Sequence, residues 1–328
     1  MANSRTPGPI RLVPTSKDHA QRARPPGPVQ TSHAAAGPAR QASVIPAEIA
    51  AMAQGDSKAL SAAGRLQQGR RGVLVEALMD EAGEPKRYHL GRQLLVKMNA
   101  LSDKQLDALA ALHEDDLHTG GLGSDAWYDL LDMGSSAGGK VFRDALLDLV
   151  GEIRDCVESG LASAVGRGLG GGGMDIQGTL GQLYAARTLR TRFPGARLRF
   201  EVMEVGREID IQMLHNGRKI DVEVKTNLGA KPSVDKGQIG KDLFNHAADR
   251  WENMLYLYAP QQASRLGQVK NAMLRVLDQA AAAVKASKAD PYQETLIKEL
   301  KIHKMTIEDA KKILKQRFIR GLVGTYTC

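Results

Sequence analysis

The chain has 328 residues, 42% of them hydrophobic and 4% aromatic, with a formal net charge of +8. That is apolar material for one or two ordinary cores, and the positive balance points to an anionic partner such as nucleic acid, a membrane surface or an acidic protein. The two cysteines, Cys156 and Cys328, exclude a disulfide framework and a thiolate metal site, and point to folding in a reduced cytosol.

Residues 1–45 are rich in Pro, Ala, Gly, Ser and Arg. Such a segment buries too little apolar surface to offset its ordering entropy and reads as a disordered basic leader. It contains no apolar signal-peptide core, and no later run is long and apolar enough to span a bilayer, so export would need another route. From Pro46 the pattern turns helical. Ser102-Asp103-Lys104-Gln105 reads as a capping box opening a helix through Leu106, Leu109 and Leu112. Further helices are expected over Trp127–Met133 and Val141–Val157, so that residues 46–165 form an all-helical domain. Gly134–Lys140 imitates a phosphate-binding loop, but Val141 stands where Ser or Thr would meet Mg²⁺, and a helix-connecting loop is the better reading. His113 and His118 are five apart and do not share a helical face as zinc ligands would. The glycine-rich run 166–173 is predicted to be a linker and domain boundary.

After the glycines a helix is expected over Ile176–Arg192, then strands over Arg197–Val205, Arg207–Leu214 and Arg218–Thr226. A helix over Gln238–Asn253 and a strand over Leu255–Tyr258 complete an αβββαβ order. Residues 261–328 read as a basic helical extension, with a long helix over Arg265–Lys288 and a last one opened by Thr306. The fold class is therefore mixed α/β, preceded by a helical domain and a leader.

Asn216-Gly217 between alternating strands is the signature of a two-residue hairpin turn, which makes His215 and Arg218 partners. Counting outward sets Gln212 opposite Asp221, Asp210 opposite Glu223 and Glu208 opposite Lys225, all on one face. The other face carries Ile209, Ile211 and Met213 against Ile220, Val222 and Val224. Facing acids repel unless a cation sits between them, and a divalent metal is the natural candidate. Hydrolysis of a phosphodiester requires charge neutralisation at phosphorus and an activated, aligned water. Asp210 and Glu223 supply carboxylates for Mg²⁺ (or Mn²⁺), with the Val224 carbonyl as a further oxygen. Lys225 follows on the same face, where its ammonium can orient the water or stabilise developing charge. A solvent-facing hairpin with a Glu208–Lys225 ion pair is the plain alternative.

The pattern Asp210…Glu223-x-Lys225 on a hairpin, within an αβββαβ order, resembles the PD-(D/E)xK nuclease superfamily over residues 174–260. The resemblance implies a restriction-endonuclease-like fold and a metal-dependent endonuclease. In that family a preceding helix often supplies another acid within a Gly-x-x-Gly-Glu segment; Gly178-Thr179-Leu180-Gly181-Gln182 puts Gln182 there instead. Ile209 also replaces the proline of the family name. Gln238 and Lys241 match the polar residues that often follow the lysine strand, and His246 and Arg250 are candidates for phosphate contact, as are Lys311, Lys312, Lys315 and Arg317 in the basic tail. A leader, a helical domain, a glycine hinge and a C-terminal nuclease resemble the layout of bacterial polymorphic toxins and injected effectors. That layout implies synthesis in the bacterial cytoplasm, delivery by dedicated machinery and an acidic immunity protein. DNA is the favoured substrate and tRNA the alternative; a housekeeping nuclease and a non-catalytic binder on a degenerate fold also remain open.

Overall fold

In a computed structural model, the described residues are 45–119, 125–170, 173–204, 207–226 and 234–328. The expected leader, residues 1–45, lies almost entirely outside them. Seven helices come first: α1 (Ala47–Ala53), α2 (Ser57–Arg65), α3 (Gly72–Ala82), α4 (Tyr88–Asn99), α5 (Asp103–Thr119), α6 (Asp125–Met133) and α7 (Ala137–Ile153). The capping box at α5 forms as expected, with Gln105 N–H donating to Ser102 Oγ at 3.2 Å and Ser102 N–H to Gln105 Oε1 at 3.0 Å. The phosphate-loop imitation is the start of α7, where Ser136 Oγ caps Gly139 N–H at 3.0 Å.

Strand β1 (Val157–Ser159) and helix α8 (Leu161–Gly170) follow, then α9 (Gly173–Arg192), β2 (Arg197–Glu204), β3 (Arg207–His215) and β4 (Arg218–Lys225). Helix α10 (Lys236–Asn245), β5 (Met254–Tyr258), α11 (Leu266–Lys285), α12 (Pro291–Ile302), α13 (Ile307–Ile319) and β6 (Val323–Thr325) complete the chain. The αβββαβ order is thus present from α9 to β5, inside a mixed sheet ordered β1-β2-β3-β4-β5-β6. The β2–β3 and β3–β4 pairs are antiparallel; the other three are parallel. The short edge strands β1 and β6 escaped the sequence reading, because three residues carry too little alternation to register as a strand.

Two cores flank the sheet. Ile211, Met213, Val222, Leu255 and Leu257 pack with α9 and the N-terminal helices. Met254, Tyr256, Tyr258 and Val323 pack with α10 to α13. Strand β5, Met-Leu-Tyr-Leu-Tyr, is buried throughout because each alternate side chain enters one core or the other. The expected apolar wall of the hairpin forms one lining of the first core.

The glycine-rich run is not the predicted linker. Residues 166–170 belong to α8 and α9 begins at Gly173, with 171 and 172 outside the described residues. Glycine serves close packing here: a Cβ at Gly168 would lie 2.2 Å from Thr179 Oγ1 on α9. The described residues accordingly form one compact unit, and the first core runs from Ile49 to Tyr326 across the expected boundary.

Candidate active site

The hairpin turn has the backbone that its sequence demands, with φ of 50° at Asn216 and 72° at Gly217. The ladder runs His215↔Arg218, Leu214↔Lys219, Met213↔Ile220, Gln212↔Asp221 and Ile211↔Val222, in the expected register. It stops there. Asp210 and Glu223 come next but are not a ladder pair, because the Val224 N–H donates to Asp210 Oδ2 at 2.7 Å. A side chain has taken a donor at the point where β3 and β4 part.

Asp210 is partly buried on this face, and Gln182 of α9 donates from Nε2 to its Oδ1 at 3.3 Å. Helix α9 comes this close because of Gly181, where a Cβ would meet Thr226 Cγ2 at 2.0 Å. Glu223 lies beside Lys225, and their side chains form an ion pair. Burial, then the nearby Asp210 charge, pushes the Glu223 carboxyl up to about 7. Burial also raises Asp210, against the pull of the Val224 N–H and Lys225. Burial works against the Lys225 charge, but Glu223, Asp210 and Asp242 outweigh it and hold its pKa up.

The face continues onto α10. Gln238, Asp242 and His246 are four residues apart and form one stripe. Gln238 Nε2 donates to both Asp242 oxygens, at 3.2 and 3.3 Å, and the buried Tyr256 hydroxyl donates to Asp242 Oδ2. Tyr256 and Tyr258 on β5 are the register partners of Glu223 and Lys225. Burial, reinforced by the Asp242 and Glu223 charges, keeps the Tyr256 hydroxyl protonated.

On the opposite side of Asp210 stands Glu201 of β2. Phe200↔Ile211 and Val202↔Ile209 flank the position where the two acids meet. Glu201 has φ of 51°, an unusual conformation for a strand residue with a side chain. Its side chain is 5% exposed and Oε2 lies 2.5 Å from Arg167 of α8, which also reaches Glu208 Oε1 at 2.5 Å. The carboxyl of Glu201 is raised by burial, with Arg167 opposing.

Comparison with protein-family models, curated proteins and solved structures finds no match.

Of the sequence-predicted residues, Asp210, Glu223, Lys225, Gln182 and Gln238 lie on this face. Glu208 pairs with Arg167, so the plain Glu208–Lys225 ion pair gives way to two separate ones. Lys241 points elsewhere on α10, its Nζ 4.8 Å from the centre of the Tyr292 ring. His246 is corrected as a phosphate contact: it is buried between Asp221 at 3.2 Å and Asp249 at 3.3 Å. Arg250 is exposed, in a left-handed turn with φ of 56°. Lys311 is engaged by Asp278 at 2.8 Å and Glu308 at 3.3 Å. Arg317 is corrected too, since it ties α13 to the Trp251 and Glu252 carbonyls at 3.0 and 3.2 Å. Lys312 and Lys315 are exposed.

The sequence reading missed Arg167, Glu201, Asp242 and the two tyrosines. Asp242 was detectable from its i+4 relation to Gln238, and the tyrosines from their alternation on β5. Arg167 and Glu201 carried no local signal.

Among the described residues, no three or more His, Cys, Asp or Glu side chains converge as a metal-holding group. Mg²⁺ asks less than that, taking one or two protein carboxylates and keeping several waters. Asp210 and Glu223 fit this requirement: both are hard oxygen donors, both are partly buried, and the Asp210 charge raises the proton affinity of Glu223.

Proposed function

We propose that the protein is a metal-dependent endonuclease cleaving DNA, with a restriction-endonuclease-like core over residues 174–260. The observation that carries this reading is the partly buried Asp210, held by the Val224 N–H at 2.7 Å, beside the Glu223–Lys225 pair on the next strand. The αβββαβ order around it supports the same reading.

Mg²⁺ (or Mn²⁺) would be held by Asp210 and Glu223, with the Val224 carbonyl as a further oxygen. Bound there, such an ion neutralises phosphate charge and acidifies a water. The protein's own residues supply orientation and charge. The Val224 N–H and the Gln182 amide fix the Asp210 carboxylate from two sides, so little reorganisation is needed on binding. Lys225 presents an ammonium beside Glu223 that orients an attacking water or stabilises developing charge. Glu223 and Asp210 hold the Lys225 pKa up, and Asp242, locked by Tyr256 and Gln238, adds to their effect.

tRNA is the alternative substrate. A non-catalytic binder on a degenerate fold is favoured by one observation, the amide of Gln182 in place of an acid. The net charge of +8 supports an anionic partner, nucleic acid or an acidic immunity protein, and in the latter case the protein would be a toxic effector made in a bacterial cytoplasm and delivered to a target cell.

The test is incubation of the full chain with plasmid DNA and with total tRNA, each with Mg²⁺, Mn²⁺ or EDTA. Cleavage of DNA that needs metal and is lost by at least about 100-fold in Asp210→Ala and Glu223→Ala is expected. Parent-like cleavage by both variants, or none by the parent, rejects the enzyme. Saturating Mg²⁺ should also raise the thermal midpoint of the parent and leave that of Asp210→Asn unmoved. Expression of the full chain in bacteria should stop growth if it is a toxin.

A further inference from the structure

Helix α8 belongs to the helical half of the molecule, yet it sends one cation to the sheet. Arg167 is half-exposed, at 51% of its side-chain surface, while the Glu201 carboxylate beneath it is 5% exposed and Glu208 at the rim is 39% exposed. One terminal nitrogen of the guanidinium meets each acid at 2.5 Å. A planar fork gripped this way is fixed in position, and its remaining donors are left for the open side.

The surroundings suggest what those donors meet. Glu201 sits where β2 faces Asp210, and the Arg167 guanidinium lies near enough to Asp210 to feel its charge. The left-handed backbone of Glu201, φ 51°, is a cost that a mere surface ion pair does not require. Gly168, the next residue, permits α8 to lie against α9 closely enough for Arg167 to reach the sheet at all. An acidic site that must accept a polyanion needs a fixed positive group at its margin.

We propose that Arg167 is a phosphate-binding residue, oriented by Glu201 and Glu208, that grips the nucleic-acid backbone next to Asp210. The role rests on the nuclease reading of the Asp210–Glu223–Lys225 face. It gives the helical half a part in substrate binding, by bringing a cation of α8 to the Glu201 side of Asp210.

The experiment measures binding without cleavage, on the full chain in EDTA, by fluorescence anisotropy. The probes are a labelled 20-base-pair DNA duplex and labelled unfractionated tRNA, titrated at several salt concentrations. Arg167→Gln should weaken binding about tenfold and lower the slope of log affinity against log salt by about one. Arg167→Lys, which keeps the charge without the fork, should restore the slope. A loss of slope on either probe supports the role. An unchanged slope on both probes overturns it, whether or not the thermal midpoint falls; a fall then assigns Arg167 to bracing α8 against the sheet. Because no metal is present, this outcome is separate from that of the cleavage assay. A parent that cuts while Arg167→Gln binds normally leaves the nuclease and removes the clamp.

Discussion

Charge on a side chain means different things at different depths, and the basic residues of this protein illustrate it. Arg317 and Lys315 belong to one helix and looked equivalent as phosphate contacts. Arg317 is 14% exposed at its side chain and spends its donors on the Trp251 and Glu252 carbonyls, whereas Lys315 is exposed. Arg317→Ala is therefore expected to cost about 1–3 kcal/mol of folding stability by removing the donor to the Trp251 carbonyl, with no change in the salt dependence of nucleic-acid binding. Urea unfolding beside a salt titration checks both halves of that statement. The site residues show the same principle in reverse. Glu223, raised to about 7 by burial and by the Asp210 charge, is costly to keep ionised in the fold, and the Lys225 ammonium beside it offsets part of that cost.

At the scale of elements, glycine needs a neighbour before it can be interpreted. Gly168 and Gly178 are both helical, in α8 and α9. A Cβ at Gly168 would collide with Thr179, while one at Gly178 would meet nothing within 4 Å. Gly168→Ala should destabilise by about 1–3 kcal/mol through overpacking. Gly178→Ala should stabilise by about 0.5–1 kcal/mol through helix propensity. Thermal midpoints moving in opposite directions would bear this out; two neutral variants would restore the linker reading. In sequence the run resembled punctuation because Gly-rich composition reports conformational freedom and not contact distance. By contrast, the hairpin was legible, since Asn216-Gly217 dictates both turn and register, and the ladder follows it down to Ile211↔Val222. The pairing of Asp210 with Glu223 was drawn one step too far, because the Asp210 side chain competes for the Val224 N–H.

The whole molecule carries two further predictions. His246 is held between Asp221 and Asp249, and these partners raise its pKa to about 9 against the opposing effect of burial. Its folded value exceeds the unfolded 6.5, so the associated stability is fully present below about pH 6.5 and lost as pH rises through about 9. The expected loss is roughly 3 kcal/mol by pH 10, read as a falling urea midpoint that His246→Gln flattens. The second concerns autonomy. Leu183, Leu189, Ile211 and Met213 share a continuous core with Leu74, Leu95 and Leu146. A fragment starting at residue 174 should expose that surface, bind a hydrophobic dye and unfold without a sharp transition, while the full chain melts with one. A cooperative fragment would reinstate two independent domains.

Local chemistry made much of this protein readable from its residues alone: the order of helices and strands, the turn at Asn216-Gly217, and the common face of Asp210, Glu223 and Lys225. Those features follow from period, propensity and turn geometry, which act over a few residues. Tertiary structure alone decided that the helical half shares the sheet's core, that His246 and Arg317 are spent inside the molecule, and that Glu201 and Arg167 stand beside Asp210. Contacts such as Arg167 to Glu201, 34 positions apart, and Arg317 to the Trp251 carbonyl are set by which surfaces can be buried together.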